Sequence, residues 1–284
     1  MKIFLDCLPC VLRQILEASR VVTENEEVHE NIMIEAVKEL SSYKDYSCTP
    51  ELVQKIHQIV KDHSQVEDPY RVIKEKDMEQ AFSVIDKVKE FMDKSDDKLE
   101  FSLKAAATGN IMDSALSIDL DLNECFLEEL KKPFYINHID DFKEDLNKSK
   151  TVLVVGDNAG EAVFDSVFIQ ILSESYDVIY AVREKPIIND ATVKEASKAG
   201  VDKYAKVISS GCSAPGTVIG MCNEEFKDVF YKADMVISKG QGNFEGLSDV
   251  DRKIYFILKA KCMKVANILG TPLGEYVLIN NNKK

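Results

Sequence analysis

Up to about residue 101 the apolar positions recur at three- and four-residue intervals, the spacing of one face of a helix. Leu8, Leu12, Ile15 and Leu16, continued by the small Ser19, form one such face, and Val28, Ile32, Ile34, Ala36, Val37 and Leu40 form another. Thr49-Pro50-Glu51 reads as a helix start, with a polar cap and a proline in the first turn, and opens a helix carrying Leu52, Ile56, Ile59 and Val60. Asp68-Pro69-Tyr70 opens a further helix through Val72, Ile73, Met78, Ala81, Ile85, Val88 and Phe91. From Thr151 the pattern changes to short apolar runs alternating with helical segments, the signature of an α/β layer fold. Strands are predicted at 151–155, 177–182, 205–209, 234–238, 254–258 and 276–279, and helices at 160–175, 191–199, 223–232 and 261–269. Val152, Leu153, Val154 and Val155 in succession read as a strand covered on both faces, as in a parallel sheet. The chain thus divides into a helical domain over 1–105 and an α/β domain over 150–284, with 105–150 as a joining segment.

In parallel sheets ligands bind beyond the carboxyl ends of the strands, and here several of those ends carry polar clusters. The first is GDNAGE at 156–161, where Asp157 and Asn158 offer hard oxygen ligands suited to Mg²⁺ or Mn²⁺. The same two residues are also preferred helix caps. The second, REKPIINDAT at 183–192, places Asp190 where it could complete a metal site begun by Asp157, although Asn189 or Asp190 also suits a cap beside the Thr192 to Glu195 spacing. The third, SSGCSAPGT at 209–217, is rich in amide and hydroxyl donors, as an anion cradle or a plain turn would be. The fourth, SKGQGNFEG at 238–246, puts Lys239 at a strand end with Gly240 permitting close backbone approach, a combination that favours phosphate. Together these residues suit metal-assisted phosphoryl hydrolysis. No GxxxxGK[ST] loop and no GxGxxG fingerprint is present, which argues against a P-loop nucleotidase and a dinucleotide site.

Elsewhere, Cys7 and Cys10 make a CxxC without a second pair to complete a zinc site. Asn110 and Asp113, three apart, would share a helix face lining a cleft or would cap a helix. His29, His57, His63 and His138 are scattered, and surface positions are expected for them.

Length and charge narrow the partners. A chain of 284 residues can bury a substantial core, and its net charge of −13, with no long basic run, argues against nucleic acid. A phosphorylated ligand would need local help from a metal or placed lysines. The amino-terminal stretch does not read as a signal peptide, no apolar run reaches the ~20 residues of a membrane helix, and seven cysteines without framework spacing suit a reducing cytoplasm. No membrane partner is expected.

The motifs CLPCVLRQ (7–14), DPY (68–70), GNIMD (109–113), GDNAGE (156–161), KPIINDAT (185–192), APGT (214–217) and KGQGNFEG (239–246) occur in one order along nearly the whole chain. In this the sequence resembles the damage-control phosphatase family of metal-dependent phosphatases, long catalogued as a domain of unknown function, and most of all its prokaryotic branch with an amino-terminal CxxC. The resemblance implies a helical domain over a three-layer, Rossmann-like α/β/α domain with a largely parallel sheet. It also implies a divalent metal (Mg²⁺, Mn²⁺, Co²⁺ or Ni²⁺) on Asp157, Asn158 and Asp190, with Asp157 and Asn158 serving catalysis. Lys239 is implied at the substrate phosphate, with Gly240, and Asn110, Asp113 and Glu161 face the same cleft. Cys212 and Met263 depart from the family pattern, at positions where a polar residue and a proline are expected.

The expected function is therefore a cytoplasmic phosphatase acting on phosphate monoesters of small metabolites, sugar phosphates or damaged phosphometabolites. A non-catalytic module binding the same ligands and a carboxyl methyltransferase are the alternatives.

Overall fold

The computed structural model describes residues 1–109 and 122–282, with side chains in the second stretch from 126 onward. Asn110 and Asp113 lie outside the described residues. Three helices come first, α1 (Cys7–Val22), α2 (Glu26–Leu40) and α3 (Thr49–Ser64). Their predicted faces close on one another, so that Ile15, Ala18, Ile32, Ala36, Leu52, Ile56 and Val60 share one buried cluster. Pro50 stands in the first turn of α3, where its missing N–H costs nothing.

The sheet has seven strands among the described residues: β1 (Ile136–Asn137), β2 (Thr151–Val155), β3 (Asp177–Val182), β4 (Lys206–Ser209), β5 (Met235–Lys239), β6 (Tyr255–Lys259) and β7 (Tyr276–Asn280). Their order is β1-β7-β6-β5-β2-β3-β4, and every neighbouring pair is parallel except β6 with β7. All six expected strands are present; β1, two residues long, carries too short a pattern to be read. Chain direction across the sheet reverses at β2, which pairs β3 on one side and β5 on the other. That is the topological switch at which α/β sheets open a crevice.

The remaining helices are α4 (Arg71–Asp93), α5 (Lys98–Thr108), α6 (Leu122–Lys131), α7 (Ile139–Leu146), α8 (Ala159–Ser173), α9 (Val193–Lys198), α10 (Glu224–Lys232), α11 (Gln241–Leu247) and α12 (Met263–Leu269). Because side chains alternate along a strand, Val152, Val154, Met235 and Ile237 face one way and meet Met78, Val84 and Leu103 of α4 and α5 and Phe164 and Phe168 of α8. Leu153, Val155, Val236 and Phe256 face the other way, against Phe226 and Phe230 of α10, Phe244 of α11 and Val265 of α12. The result is a three-layer α/β/α fold. The long helices α4 and α5, read from sequence with the amino-terminal helices, share their core with the sheet through α8.

Polar contacts pin the helical cap to the strand loops. Lys74 of α4 is buried between Asp68 at 2.8 Å and Glu195 at 3.1 Å, and Lys61 of α3 donates to the carbonyl of Pro186 at 2.6 Å. Asp68 belongs to the DPY motif, whose role is thus to seat the cap on the first turn of α9.

One expectation is overturned: His57 is buried, 2 % exposed, with Nε2 lacking a hydrogen-bond partner. Its helix, α3, packs against α1, α2 and α11 and so buries more of its circumference than an amphipathic surface helix does. Burial lowers the imidazole pKa to about 3, against an unfolded value of about 6.5. Between those values the unfolded chain binds the extra proton, so His57 contributes stability that is full above pH about 6.5 and is lost as pH falls, by about 1.4 kcal/mol per pH unit. Denaturation of the wild type and of His57→Leu from pH 7 to 4 should therefore give curves of different slope, the wild type falling more steeply; parallel curves would show that His57 does not titrate on unfolding.

Candidate active site

The loop after β2 carries Asp157 and Asn158, and the loop after β3 folds back to meet it. Asn158 and Asp190 form an antiparallel bridge, the Ala159 N–H donates to the Asn189 carbonyl at 2.8 Å, and the Ala191 N–H donates to the Asp157 carbonyl at 2.8 Å. Backbone pairing alone therefore brings the three expected metal-binding residues side by side. The capping readings give way in both loops. Asn158 occupies the N-cap position of α8 without making a side-chain cap bond, its Nδ2 lying 3.4 Å from Glu161 Oε1. The cap of α9 is Thr192, boxed with Glu195, which leaves Asp190 outside that role. Ile188, two residues before Asp190, has a φ of 44°, a left-handed conformation that a β-branched side chain adopts only under constraint.

Arg183, the residue after β3, is the group that holds the two carboxylates. It is 1 % exposed; Nε donates to Asp190 Oδ2 at 2.7 Å and Nη2 to Asp157 Oδ1 at 3.5 Å. Nη1 donates to Thr217 Oγ1 at 2.8 Å and to Asn243 Oδ1 at 3.0 Å. Asn243, fully buried, also donates to the carbonyls of Gly156 at 2.9 Å and Lys239 at 2.7 Å, clamping together the ends of β2 and β5. Glycines allow this close fit. A Cβ on Gly240, whose φ is 81°, would lie 1.8 Å from Asp157 Oδ2, and one on Gly216 would lie 2.3 Å from the Gly242 carbonyl oxygen. The APGT loop is thus a support packed against α11, with Thr217 as an acceptor for Arg183.

Lys239 has a different place from the one expected. It is the last residue of β5, and side-chain alternation turns it with Met235 and Ile237 toward α8. There Nζ lies 2.9 Å from Glu161 Oε2 and 2.7 Å from Asp165 Oδ1, while Tyr180 donates its hydroxyl to Asp165 Oδ2 at 2.7 Å. Lys239 and Glu161 form a buried layer beneath the Asp157 loop, off the cavity wall.

The electrostatics favour a cation. Burial first, then Asp190 and Glu161, raise Asp157 well above the usual carboxylate range, with Arg183 opposing. Burial likewise raises Asp165, offset in part by Lys239. Burial works against the charge of Lys239, yet Asp165 and Glu161 outweigh it and raise its pKa. Asp157, Asp190, Glu161 and Asp165 thus lie close together with Arg183 and Lys239 between them, an acid-rich setting suited to a cation. Two carboxylates and an amide oxygen are hard donors and fit Mg²⁺ or Mn²⁺. Among the described residues no three His, Cys, Asp or Glu side chains converge on a metal site of their own.

Asp157, Asn158 and Asp190 line a cavity of about 610 Å³ beneath the cap. Its wall includes Asp77 of α4 and Lys261, which follows β6 and acts on Asp157 to lower its pKa. Cys7 and Cys10, in the first turn of α1, line the same cavity as free thiols, with Thr49 Oγ1 donating to Cys7 Sγ at 3.7 Å. Arg183, Asn243 and Lys261 escaped the sequence reading. For Arg183 the available signal was a lone arginine directly after an apolar strand, in the register of Ala181 on one sheet face.

Residues 3–277 match the family described as damage-control phosphatase ARMT1-like domain. The chain is 35% identical over 292 residues, and the full length of both proteins, to a damage-control phosphatase of Pyrococcus horikoshii. It is 33% identical to a damage-control phosphatase of Archaeoglobus fulgidus, covering 98% of each chain, and 34% identical to an uncharacterized protein of Methanocaldococcus jannaschii, covering 98% of this chain and 95% of that one. The crystal structure of a DUF89 family protein from Pyrococcus horikoshii superposes with a TM-score of 0.92 at 34% identity, over 99% of both chains.

Two substitutions separate the layers of the site. Gly240→Ala forces the Asp157 carboxylate to move and should abolish Mn²⁺ binding in titration calorimetry while the protein remains folded by circular dichroism; wild-type affinity would mean that the close approach is without consequence. Lys239→Met removes the cation between Glu161 and Asp165 and should cost about 3–5 kcal/mol in urea denaturation, the range for breaking a buried ion pair.

Proposed function

Since the chain belongs to the damage-control phosphatase ARMT1-like family, we propose that it is a divalent-metal-dependent phosphatase that hydrolyses phosphate monoesters of small metabolites. The observation that carries this reading is the meeting of Asp157, Asn158 and Asp190 on the floor of a cavity at the switch point of the sheet. These three residues would hold the ion, which when bound supplies Lewis-acid polarisation of the phosphoryl group and a water of lowered pKa. The cavity volume suits a small metabolite of sugar-phosphate size.

The chain's own residues divide the remaining work. Lys261, on the cavity wall, supplies the positive charge for the phosphate that the sequence reading placed on Lys239. Lys239 instead bridges Glu161 and Asp165 in the layer beneath the Asp157 loop. Cap residues, Asp77 among them, meet the part of the substrate beyond the phosphate. The walls from α1, α3 and α4 lower the local dielectric and so strengthen each of these charges. A net charge of −13 on the chain makes such local positive charge necessary for an anionic substrate.

A screen of sugar phosphates, nucleotides and cofactor fragments with Mg²⁺, Mn²⁺, Co²⁺ or Ni²⁺ in turn tests the proposal. Activity should disappear with chelator and return with metal. Asp157→Ala and Lys261→Met should each lower kcat by about 100-fold or more, the scale of losing a transition-state charge partner. Full turnover in chelator or in Asp157→Ala would overturn the assignment, and tight binding of phosphoesters without turnover would favour a binding module.

A further inference from the structure

Arg183 touches both carboxylates of the floor, yet it belongs to neither the cavity wall nor the ligand set. It is buried at the end of β3, and all three of its nitrogens are engaged: Nε with Asp190, Nη2 with Asp157, and Nη1 with Thr217 and Asn243. Two of these four acceptors are carboxyl oxygens of the cavity floor and two are neutral oxygens, from Thr217 and Asn243. The guanidinium is therefore not an ion-pair partner that drifts with its carboxylates. Asn243 accepts from the Thr217 N–H at 2.7 Å and donates to the backbone of β2 and β5, so the frame that holds Arg183 is itself held by the sheet.

Such a fixed charge answers a particular difficulty. Two buried carboxylates drawn together by backbone pairing repel each other in a medium of low dielectric, and the repulsion is greatest when no metal lies between them. A divalent ion, once bound, supplies more charge than Arg183 and would take over most of its compensating effect. We propose that Arg183 is a positioning residue for the metal-free protein: it offsets the repulsion between Asp157 and Asp190 and keeps them together between one bound ion and the next, a task that the ion takes over when it binds. This rests on the metal reading given above. In consequence, loss of Arg183 should be felt chiefly when the ion is absent.

The test compares thermal melting of the full-length wild type with Arg183→Met and Arg183→Lys, each in chelator and in saturating Mn²⁺, with bound Mn²⁺ counted by electron paramagnetic resonance. Arg183→Lys keeps one charge but not the planar fork that reaches all four acceptors. In chelator both variants should melt below the wild type, Arg183→Met further. In Mn²⁺ the gap between wild type and each variant should shrink at least twofold. A gap of equal size in chelator and in Mn²⁺, or no gap in chelator, would overturn the proposal and leave Arg183 an ordinary buried contact. If Arg183→Met yields no soluble protein, the two gaps of Arg183→Lys decide by the same criterion. Absence of bound Mn²⁺ and of any Mn²⁺-dependent melting shift in the wild type would sink the metal reading itself, and this inference with it.

Discussion

Two carboxylates, Asp157 and Asp190, lie in the protein interior within reach of a single guanidinium, and the architecture around them is arranged to make that tolerable. Burying like charges together is unfavourable unless hydrogen bonds and counter-charges compensate. Here the compensation comes from residues at two strand ends: Arg183 after β3, and after β5 both Asn243 and Gly240, whose lack of a side chain leaves room for Asp157. The switch in strand order at β2 makes this possible, because it brings the ends of β2, β3 and β5 together where the chain's course diverges.

A second charged layer lies directly beneath. Lys239, Glu161, Asp165 and Tyr180 are linked to one another on the α8 side of the sheet. Its lysine is buried for the same reason that Met235 and Ile237 are: all three share one parity along β5. The floor of the cavity is therefore two charged layers deep, the lower one off the cavity wall.

Much of this was legible in the chain. The run Val152 to Val155 announced a strand covered on both faces, and the polar residues after it lie on the cavity floor. The alternation of strands and helices after Thr151 gave the layer architecture, and the strand ends were located to within a residue or two. That residue mattered for Lys239. Whether a strand closes at 238 or 239 decides whether the lysine projects into a cleft or turns into the core, and hydrophobicity alone does not carry that information. Arg183 was obscured because an arginine after an apolar strand has the same local pattern whether it meets solvent or two carboxylates. Periodicity showed that α4 and α5 are amphipathic but not which surface they cover, since an apolar stripe has no address. His57 looked polar and exposed because its cover comes from outside its own helix, with the Tyr70 ring beside the imidazole.

The left-handed backbone at Ile188 bears on how separable the two parts of the molecule are. Strain of this kind persists only where surrounding structure over-determines it, at a cost of order 1–3 kcal/mol. Ile188 packs against the cluster formed by α1, α2 and α3, and its loop carries Asp190 two residues later. The helices above the cavity thus act as a buttress as well as a roof: their apolar surface holds in place a turn that would relax if left to itself. An isolated α/β half would retain the sheet and lose the shape of its own carboxylate loop, so the two parts make one active unit rather than a catalytic body wearing an optional hat.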